Sequence, residues 1–261
     1  MAKTIMIQGT ASGVGKTILT LALCRIFKQD GYCTAPFKAQ NMTTNTCLTQ
    51  QGDEIATSGW LQALAAGVEP SIDMNPIVLK PPFTIPQNSD RDMKLNKIMS
   101  AYTRLCNQYD VIVIEGAGSP VELNLIADDM VNMGMAKRAK APVLLVSDID
   151  RGGVFASLYG TIALMDESEK PHIKATIVNR FRGDPALFAD GVDMLKDITQ
   201  LPVAGVVPYM DINLPEEDGL FDNDKVTQTA DYESKFDHIA DHVRMHLDMN
   251  LVYDILNKGV E

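Results

Sequence analysis

A glycine-rich stretch near the start of the chain limits its possible folds more than any other feature. Residues 9–17 read GTASGVGKT, preceded by the strand-like run TIMIQ and followed by the helix-like run ILTLALCRIF. A strand, a glycine-rich turn and a helix in this order direct backbone N–H groups and a helix N-terminus toward one point, which suits a phosphate. The general pattern is G-x-x-x-x-G-K-[ST], and Thr10 occupies the position of its first glycine. The stretch therefore predicts a phosphate-binding loop that departs from the general pattern at one position.

The loop predicts a nucleotide site with divided roles. We expect Lys16 to neutralise the β- and γ-phosphates of ATP, and the Thr17 hydroxyl to bind Mg²⁺. The backbone of Ser12, Gly13, Val14 and Gly15 would hold the phosphates. The alternative is a glycine-rich turn before an ordinary helix.

Apolar runs alternate with helical patterns along most of the chain, which predicts an α/β fold with a mostly parallel sheet and helices on both faces. The runs are continuously apolar, as expected for strands that are covered on both faces. The predicted strands are 4–8, 32–37, 111–115, 143–147, 173–179 and 202–207. The predicted helices are 16–30, 54–66, 94–109, 129–140, 152–165 and 186–199.

We predict one phosphate-loop ATPase domain over residues 1–210, with an exposed proline-rich loop at 81–92. An acidic, aperiodic linker would follow at 211–234. Residues 235–258 return to an amphipathic helical pattern that should pack on the same domain.

Composition and sequence pattern argue against nucleic-acid-binding, membrane-spanning and secreted proteins. The formal net charge of −11 disfavours a nucleic-acid surface, and no apolar run approaches the ~20 residues that span a bilayer. The N-terminus lacks the pattern of a secretory signal. The four cysteines have no metal-ligand spacing and are expected to be reduced thiols, so we expect a cytoplasmic protein without a membrane partner.

Two polar stretches follow predicted strands and are candidates for the site. VIVIEGAGSP ends a strand with Glu115, a candidate direct or second-sphere ligand of Mg²⁺. The small residues through Gly118 and Ser119 would let substrate or phosphate approach closely. FKAQNM places Lys38, Gln40 and Asn41 at the same edge, where Lys38 could stabilise a transferred phosphoryl group. The alternatives are a solvated acid at a strand end and an ordinary polar loop.

Two further features of the sequence each have two interpretations. Arg151, before Gly152-Gly153 at a predicted helix start, is either an anion binder or part of a capping turn. Histidines at positions 238, 242 and 246 have helical spacing, but neighbouring acids favour a solvated polar face over a metal site.

Taken together, these motifs resemble the synthetase domain of the cobyric acid synthase family, a relative of dethiobiotin synthetase. The matching segments include IMIQGTASGVGKT, YDVIVIEGAGSPVELNL, APVLLVSDIDRGGVFASLYGT, VNRFRGD and GVVPYMDINLPEED, between about residue 3 and residue 219. In this superfamily the phosphate-binding loop has the pattern G-T-x-x-x-V-G-K-[ST]. The resemblance therefore implies that a threonine at position 10 is usual for such a loop.

The resemblance implies ATP-dependent amidation of corrin side-chain carboxylates, on a substrate of the cobyrinic acid a,c-diamide type, through an acyl phosphate. It assigns Asn179 to the adenine, Thr17 and Glu115 to Mg²⁺, and either Asp53 or Glu54 as a further metal ligand. Lys16, Lys38, Ser119 and Arg151 take catalytic roles, and Gln40, Asn41 and Gly118 contact the substrate.

The sequence also departs from the family. The glutaminase domain that follows in the family has no counterpart here, so we expect ammonia from a separate glutaminase subunit or free ammonium. We also expect a homodimer. The 81–92 segment is shorter than the segment that the family usually has at this place, and corrin recognition by these residues is therefore not implied by the resemblance. The rival interpretations are a ligase for another carboxylate and a regulatory ATPase of the MinD/ParA type, although the latter usually has a second lysine early in its loop.

Overall fold

A computed structural model describes residues 2–80, 88–124, 129–211 and 232–260. The strands in this part of the chain are β1 (Lys3–Gly9), β2 (Thr34–Phe37), β3 (Gln40–Met42), β4 (Thr46–Leu48), β5 (Glu54–Ala56), β6 (Ile77–Leu79), β7 (Val111–Glu115), β8 (Val143–Asp148), β9 (Ile173–Phe181) and β10 (Val203–Pro208). The helices are α1 (Lys16–Gln29), α2 (Thr57–Ala66), α3 (Asn88–Cys106), α4 (Met133–Ala139), α5 (Val154–Leu164), α6 (Ala189–Thr199), α7 (Tyr232–His246) and α8 (Met249–Lys258).

The main sheet has six strands in the order β10-β9-β8-β1-β7-β2. β8 pairs in parallel with β1 and β9, β9 pairs in parallel with β10, and β2 pairs in parallel with β7. β7 and β8 are buried along their whole length, as strands covered on both faces are. Helices α2, α3, α5 and α6 pack against strands of this sheet. The predicted α/β fold with a mostly parallel sheet is therefore confirmed.

The chain divides into two compact units. The first unit contains the described residues 2–3, 20–80, 88–115 and 232–240. The second unit contains the described residues 4–19, 116–124, 129–211 and 241–260. The glycine-rich loop lies in the second unit, and the stretch that contains Lys38 and Glu115 lies in the first.

Two small sheets in the first unit were not predicted. β3 pairs in parallel with β6, and β4 pairs with β5 in antiparallel register. The helix predicted to begin at residue 54 begins instead at Thr57, because residues 54–56 form β5 and the Ala56 N–H donates to the Asn75 side chain at 3.3 Å. Pairing with β4 and the bond to Asn75 outweigh local helix propensity here.

Helix boundaries also differ from the prediction at the starts of α3 and α4. α3 begins at Asn88, so the predicted loop is wrong for residues 88–92; no Pro or Gly interrupts 88–106. Residues 81–87 lie outside the described residues. α4 begins at Met133 rather than 129, because the Asp129 carboxylate accepts the N–H groups of Val131, Asn132 and Gly134.

The C-terminal helical pattern forms two helices instead of one. Leu247 bridges to Gly205 of β10, the Asp248 N–H donates to Ala204 O at 2.7 Å, and the Asp248 side chain caps α8 by accepting from the Leu251 N–H. These contacts take the backbone out of helical geometry between α7 and α8. Of the predicted linker, residues 212–231 lie outside the described residues. None of the described helices combines the length and the apolarity that crossing a bilayer requires.

Candidate functional site

The glycine-rich loop connects β1 to α1, as the sequence predicts. Gly13 and Gly15 have φ angles of +71° and +100°, in the region that favours glycine. A Cβ on Gly9 would lie 2.5 Å from the buried Val14 side chain, so the end of β1 needs a residue without a side chain. The conformation of the loop thus accounts for three of its glycines.

Gly15 and Asn179 fit closely together. The Asn179 Nδ2 group donates to the Val14 carbonyl at 2.8 Å, and a Cβ on Gly15 would lie 2.0 Å from that same nitrogen. Asn179 is buried near the end of β9. It therefore contacts the loop that the sequence assigns to phosphate binding, and in this structure it fixes the loop backbone.

Thr10 is joined to the neighbouring strand. Its N–H donates to the Val146 carbonyl at 2.9 Å, and its hydroxyl donates to the Ser147 hydroxyl at 3.0 Å. A glycine at this position would lose the second of these bonds. The threonine therefore has a structural role: it holds the start of the loop against the end of β8.

The Lys16 amine lies against two backbone carbonyls. Its Nζ donates to Ala11 O at 2.9 Å and to Gly118 O at 3.0 Å, and the residue is 7% exposed. The second carbonyl belongs to residues 116–119, which we call the GAGS strip. The amine is thus held between the loop and the strip, whereas Thr17 is half-buried in the first turn of α1.

The GAGS strip is held in turn by Asn132. The Asn132 Oδ1 accepts from the Ala117 N–H at 3.0 Å, and its Nδ2 donates to the carbonyls of Ala117 at 2.6 Å and Ser119 at 3.1 Å. At the start of the strip, the Gly116 N–H donates to Ile7 O at 2.9 Å. Sequence reasoning did not single out Asn132.

In the first unit, Lys38 and Glu115 form a buried ion pair. Lys38 Nζ lies 3.0 Å from Glu115 Oε1, and Gln62 Nε2 donates to Glu115 Oε2 at 2.6 Å. Gln62 and Glu115 are each 1% exposed. Asn75 supports the same cluster by donating to the Lys38 carbonyl at 2.9 Å. The sequence predicts Lys38 and Glu115 near one strand edge but gave no indication of Gln62 or Asn75.

Burial affects a thiol near this pair. Cys24, inside α1, is fully buried, and burial raises the pKa of its thiol well above the usual range; the Glu115 carboxylate raises it further. Both effects disfavour the thiolate. Cys24 is therefore a packed, protonated thiol and not a nucleophile.

A sequence model of the AAA domain family matches residues 3–216, which are most of the chain. The chain belongs to the AAA domain family.

This AAA domain is 51% identical over 237 residues to a cobyric acid synthase from Ruminiclostridium cellulolyticum, which covers 84% of this chain and 46% of that protein. It is 48% identical over 255 residues to a cobyric acid synthase from Yersinia enterocolitica, which covers 88% of this chain and 49% of that protein. The predicted resemblance is confirmed. The chain spans about half the length of these curated relatives.

Among solved structures, the AAA domain is similar to the signal recognition particle receptor FtsY from Elizabethkingia anophelis. The TM-score is 0.52 at 20% identity, with 81% of this chain and 60% of that chain covered. At this identity the similarity concerns the fold alone.

The remaining predicted residues of the AAA domain lie in varied surroundings. Asn41 in β3 is buried and donates to the Ser58 hydroxyl at 3.2 Å, while Gln40 is half-buried. Asp53 and Glu54 are exposed, and Glu54 lies 2.6 Å from Lys80. These contacts do not favour either acid as the further metal ligand.

Arg151 is exposed in the turn before α5. The neighbouring Asp150 pairs with Arg182, whose guanidinium also lies 4.0 Å from the ring centre of Tyr209. The hydrogen bond from Arg182 holds the pKa of Asp150 below its usual range. The basic groups near the turn before α5 therefore include Arg182, which was not predicted from the sequence, as well as Arg151.

The C-terminal histidines bond to backbone. The ring nitrogens of His242 and His246 lie 3.1 Å from Pro208 O and 2.7 Å from His242 O, respectively, and His238 is exposed. Across the described ranges, no three His, Cys, Asp or Glu side chains come together in a way that would hold a metal ion.

Proposed function

We propose that this AAA domain uses ATP to convert corrin side-chain carboxylates, on a substrate of the cobyrinic acid a,c-diamide type, to amides. The observation that carries the proposal is the 51% identity to a cobyric acid synthase over 84% of the chain, including the phosphate loop. The loop geometry supports the ATP-dependent part of the proposal, and the relatives support the corrin part.

The proposed reaction has two steps. A carboxylate oxygen attacks the γ-phosphorus of ATP, the bond from that phosphorus to the β,γ-bridging oxygen breaks, and ADP leaves. Ammonia then attacks the carbonyl carbon of the acyl phosphate, the carbon–oxygen bond to phosphate breaks, and a proton is lost from nitrogen. Both steps need charge neutralisation and alignment more than covalent help from the protein.

Lys16 is the first group to supply that neutralisation. Its ammonium lies between Ala11 O and Gly118 O, beside the loop whose N–H groups we assign to the phosphates. A cation in this position lowers the energy of a transferring phosphoryl group, whose charge is spread over its oxygens.

Lys38 is the second proposed cation. A buried ammonium is costly unless it is paired, and Glu115 supplies the counter-charge at 3.0 Å. Gln62 orients that carboxylate from its other oxygen. The pair would keep Lys38 charged for stabilisation of the phosphoryl group.

Mg²⁺, when bound, would neutralise phosphate charge during transfer. Thr17 offers the single hydroxyl oxygen that loops of this type give to the ion. Mg²⁺ usually keeps several waters and binds substrate phosphates, so nucleotide and water oxygens would complete its coordination beside this hydroxyl. Glu115, with Asp53 or Glu54, stays a prediction for the same ion.

The remaining assignments also stay predictions. They are the contacts of Asn179 with adenine, the substrate roles of Gln40, Asn41 and Gly118, and the catalytic roles of Ser119 and Arg151. We further propose a cytoplasmic homodimer that receives ammonia from a separate glutaminase subunit or as free ammonium.

The test is incubation with cobyrinic acid a,c-diamide, ATP, Mg²⁺ and ammonium, followed by mass spectrometry of the corrin. We expect successive mass changes that correspond to replacement of a carboxyl hydroxyl by an amino group. The Lys16→Ala variant should give neither product nor ADP while keeping its circular dichroism spectrum. ADP release by the wild-type chain without a corrin product would contradict the proposal and favour another carboxylate or a regulatory ATPase.

A further inference from the structure

A chain of hydrogen bonds connects Asp129 to the amine of Lys16. Its central member is Asn132, which is 5% exposed and uses both Nδ2 hydrogens and Oδ1 on the GAGS strip. Two of these bonds go to the N–H and the carbonyl of Ala117, so the side chain pairs with the backbone of that residue as a neighbouring strand would. Such an arrangement fixes the rotation of the strip as well as its position.

The strip that Asn132 fixes is in direct contact with Lys16. Gly118 lies between Ala117 and Ser119, the two residues bonded to Asn132, and its carbonyl accepts from Lys16 Nζ at 3.0 Å. Gly118 has a φ of +58°, so its carbonyl direction depends on a backbone conformation that most residues avoid. Without the bonds to Asn132, the strip would lose contacts that fix the direction of this carbonyl.

Asn132 is itself held by Asp129. Asp129 Oδ1 accepts from the Asn132 N–H at 2.8 Å and from the Val131 N–H at 2.9 Å, and its Oδ2 accepts from the Gly134 N–H at 2.7 Å. Three N–H groups on one carboxylate define the turn before α4 tightly.

Two glycines make the close approach possible. A Cβ on Gly116 would lie 2.4 Å from Asn132 Oδ1, and a Cβ on Gly134 would lie 2.0 Å from Asp129 O. Both are backbone or hydrogen-bonded atoms that cannot move away without breaking the network. Gly116 of the GAGS strip therefore serves the contact with Asn132, and Gly134 serves the turn that Asp129 holds.

We propose that Asn132 is a positioning residue for Lys16, acting through the GAGS strip and supported by Asp129. This inference rests on the proposed function, because it assigns Lys16 to the phosphates of ATP. Asn132 touches neither nucleotide nor substrate in this role: it determines where the ammonium stands when the nucleotide binds.

The test is a double-mutant cycle between Asn132→Ala and Lys16→Met, read out as equilibrium binding of Mg²⁺ and a non-hydrolysable ATP analogue. In the Lys16 background, we expect Asn132→Ala to raise the Kd about tenfold, the size that follows from one misplaced charge-assisted contact. In the Lys16→Met background it should change the Kd less than about twofold, because the amine through which it acts is gone.

Thr199→Val is the matched control for stability. Thr199 is similarly buried in the second unit, and its hydroxyl donates to the Leu195 carbonyl at 2.6 Å within α6. The control should lower the melting temperature without changing the Kd. Asp129→Asn, which replaces one acceptor by a donor facing the Gly134 N–H, provides a second variant that acts in the same direction if Asn132→Ala does not fold.

The outcomes separate the two levels of the account. If the wild-type chain binds no ATP analogue, the proposed function fails and this inference fails with it. If the wild-type chain binds the analogue but Asn132→Ala binds it equally well, or weakens it equally in both backgrounds, Asn132 has only a structural role and this inference alone is overturned.

Discussion

Replacing Gly15 by Ala tests whether the loop conformation depends on its contact with Asn179. The new methyl group would lie 2.0 Å from Asn179 Nδ2, so the side chain must move and release the Val14 carbonyl, which it now bonds at 2.8 Å. A non-glycine residue at the φ of +100° adds backbone strain. The two effects are separable because the chain offers a glycine with a similar φ and no neighbour.

That glycine is Gly31, which has a φ of +91° and nothing within 4 Å of an added Cβ. Gly31→Ala should destabilise the chain only through the added backbone strain, on the order of 1–3 kcal/mol. Gly15→Ala should add the same strain and also leave a buried carbonyl without its donor, which costs about 1–3 kcal/mol more. Since ~1 kcal/mol corresponds to roughly 2–4 °C for a chain of this size, the difference is measurable.

The assay is urea unfolding of both variants and the wild-type chain, with melting temperature as a second measure. We expect Gly15→Ala to have the lower free energy of unfolding by the cost of the lost Asn179 bond, and to bind MgATP more weakly. Equal destabilisation by the two substitutions would refute the reasoning, because it would mean that Asn179 adapts at no cost.

Three further predictions concern buried or paired groups. Lys38→Met should destabilise the chain by about 3–5 kcal/mol in urea unfolding, because its buried carboxylate partner loses that ammonium; a change near zero would contradict the buried pair. Native alkylation with mass spectrometry should label exposed Cys33 and leave Cys24 unlabelled, since burial raises the pKa of the Cys24 thiol; equal labelling would contradict this. The Arg25 hydrogen bond lowers the pKa of Asp237, so this group's stabilisation is present above the ordinary aspartate pKa and is lost as pH falls through the lower folded value. Asp237→Asn should therefore flatten the acid limb of stability against pH, and an unchanged limb would argue against the pair.

The fold could be predicted from the sequence because the pattern of apolar residues and one loop motif determine most of the main sheet and its first helix. The strands that form the main sheet are rich in apolar, buried residues, and the strand–loop–helix order around GTASGVGKT is the order in the structure. Thr10 shows what a motif alone does not predict. The motif identifies it as a family variant, whereas its physical role, a hydrogen bond to Ser147 in β8, depends on a strand more than a hundred residues away in the chain.

Asn132, Gln62 and Asn75 could not be predicted in the same way. Each is a single amide side chain whose role depends on tertiary proximity; Gln62 and Glu115, for example, are 53 residues apart. One local signal was present: DDMVN places an aspartate and an asparagine just before an apolar helical pattern, which is typical of side chains that bond to backbone. It indicated a turn and could not indicate that the turn holds the GAGS strip.

The short strands β3 to β6 were missed for a different reason. Each has three residues, too few for a period of two to be distinguished from an irregular polar segment. Their pairing is decided by contact with other segments, as in β5, where residues predicted as helix pair with β4. The bounds of short elements are thus set by tertiary contacts that periodicity does not record.

The most direct test of the central claim follows an oxygen atom. Cobyrinic acid a,c-diamide labelled with ¹⁸O in its carboxylates would be incubated with the chain, ATP, Mg²⁺ and ammonium, and the released phosphate analysed by mass spectrometry. An acyl phosphate transfers one carboxylate oxygen to phosphate, so the account predicts one labelled oxygen in phosphate for each amide formed. Amide formation with unlabelled phosphate would contradict the account.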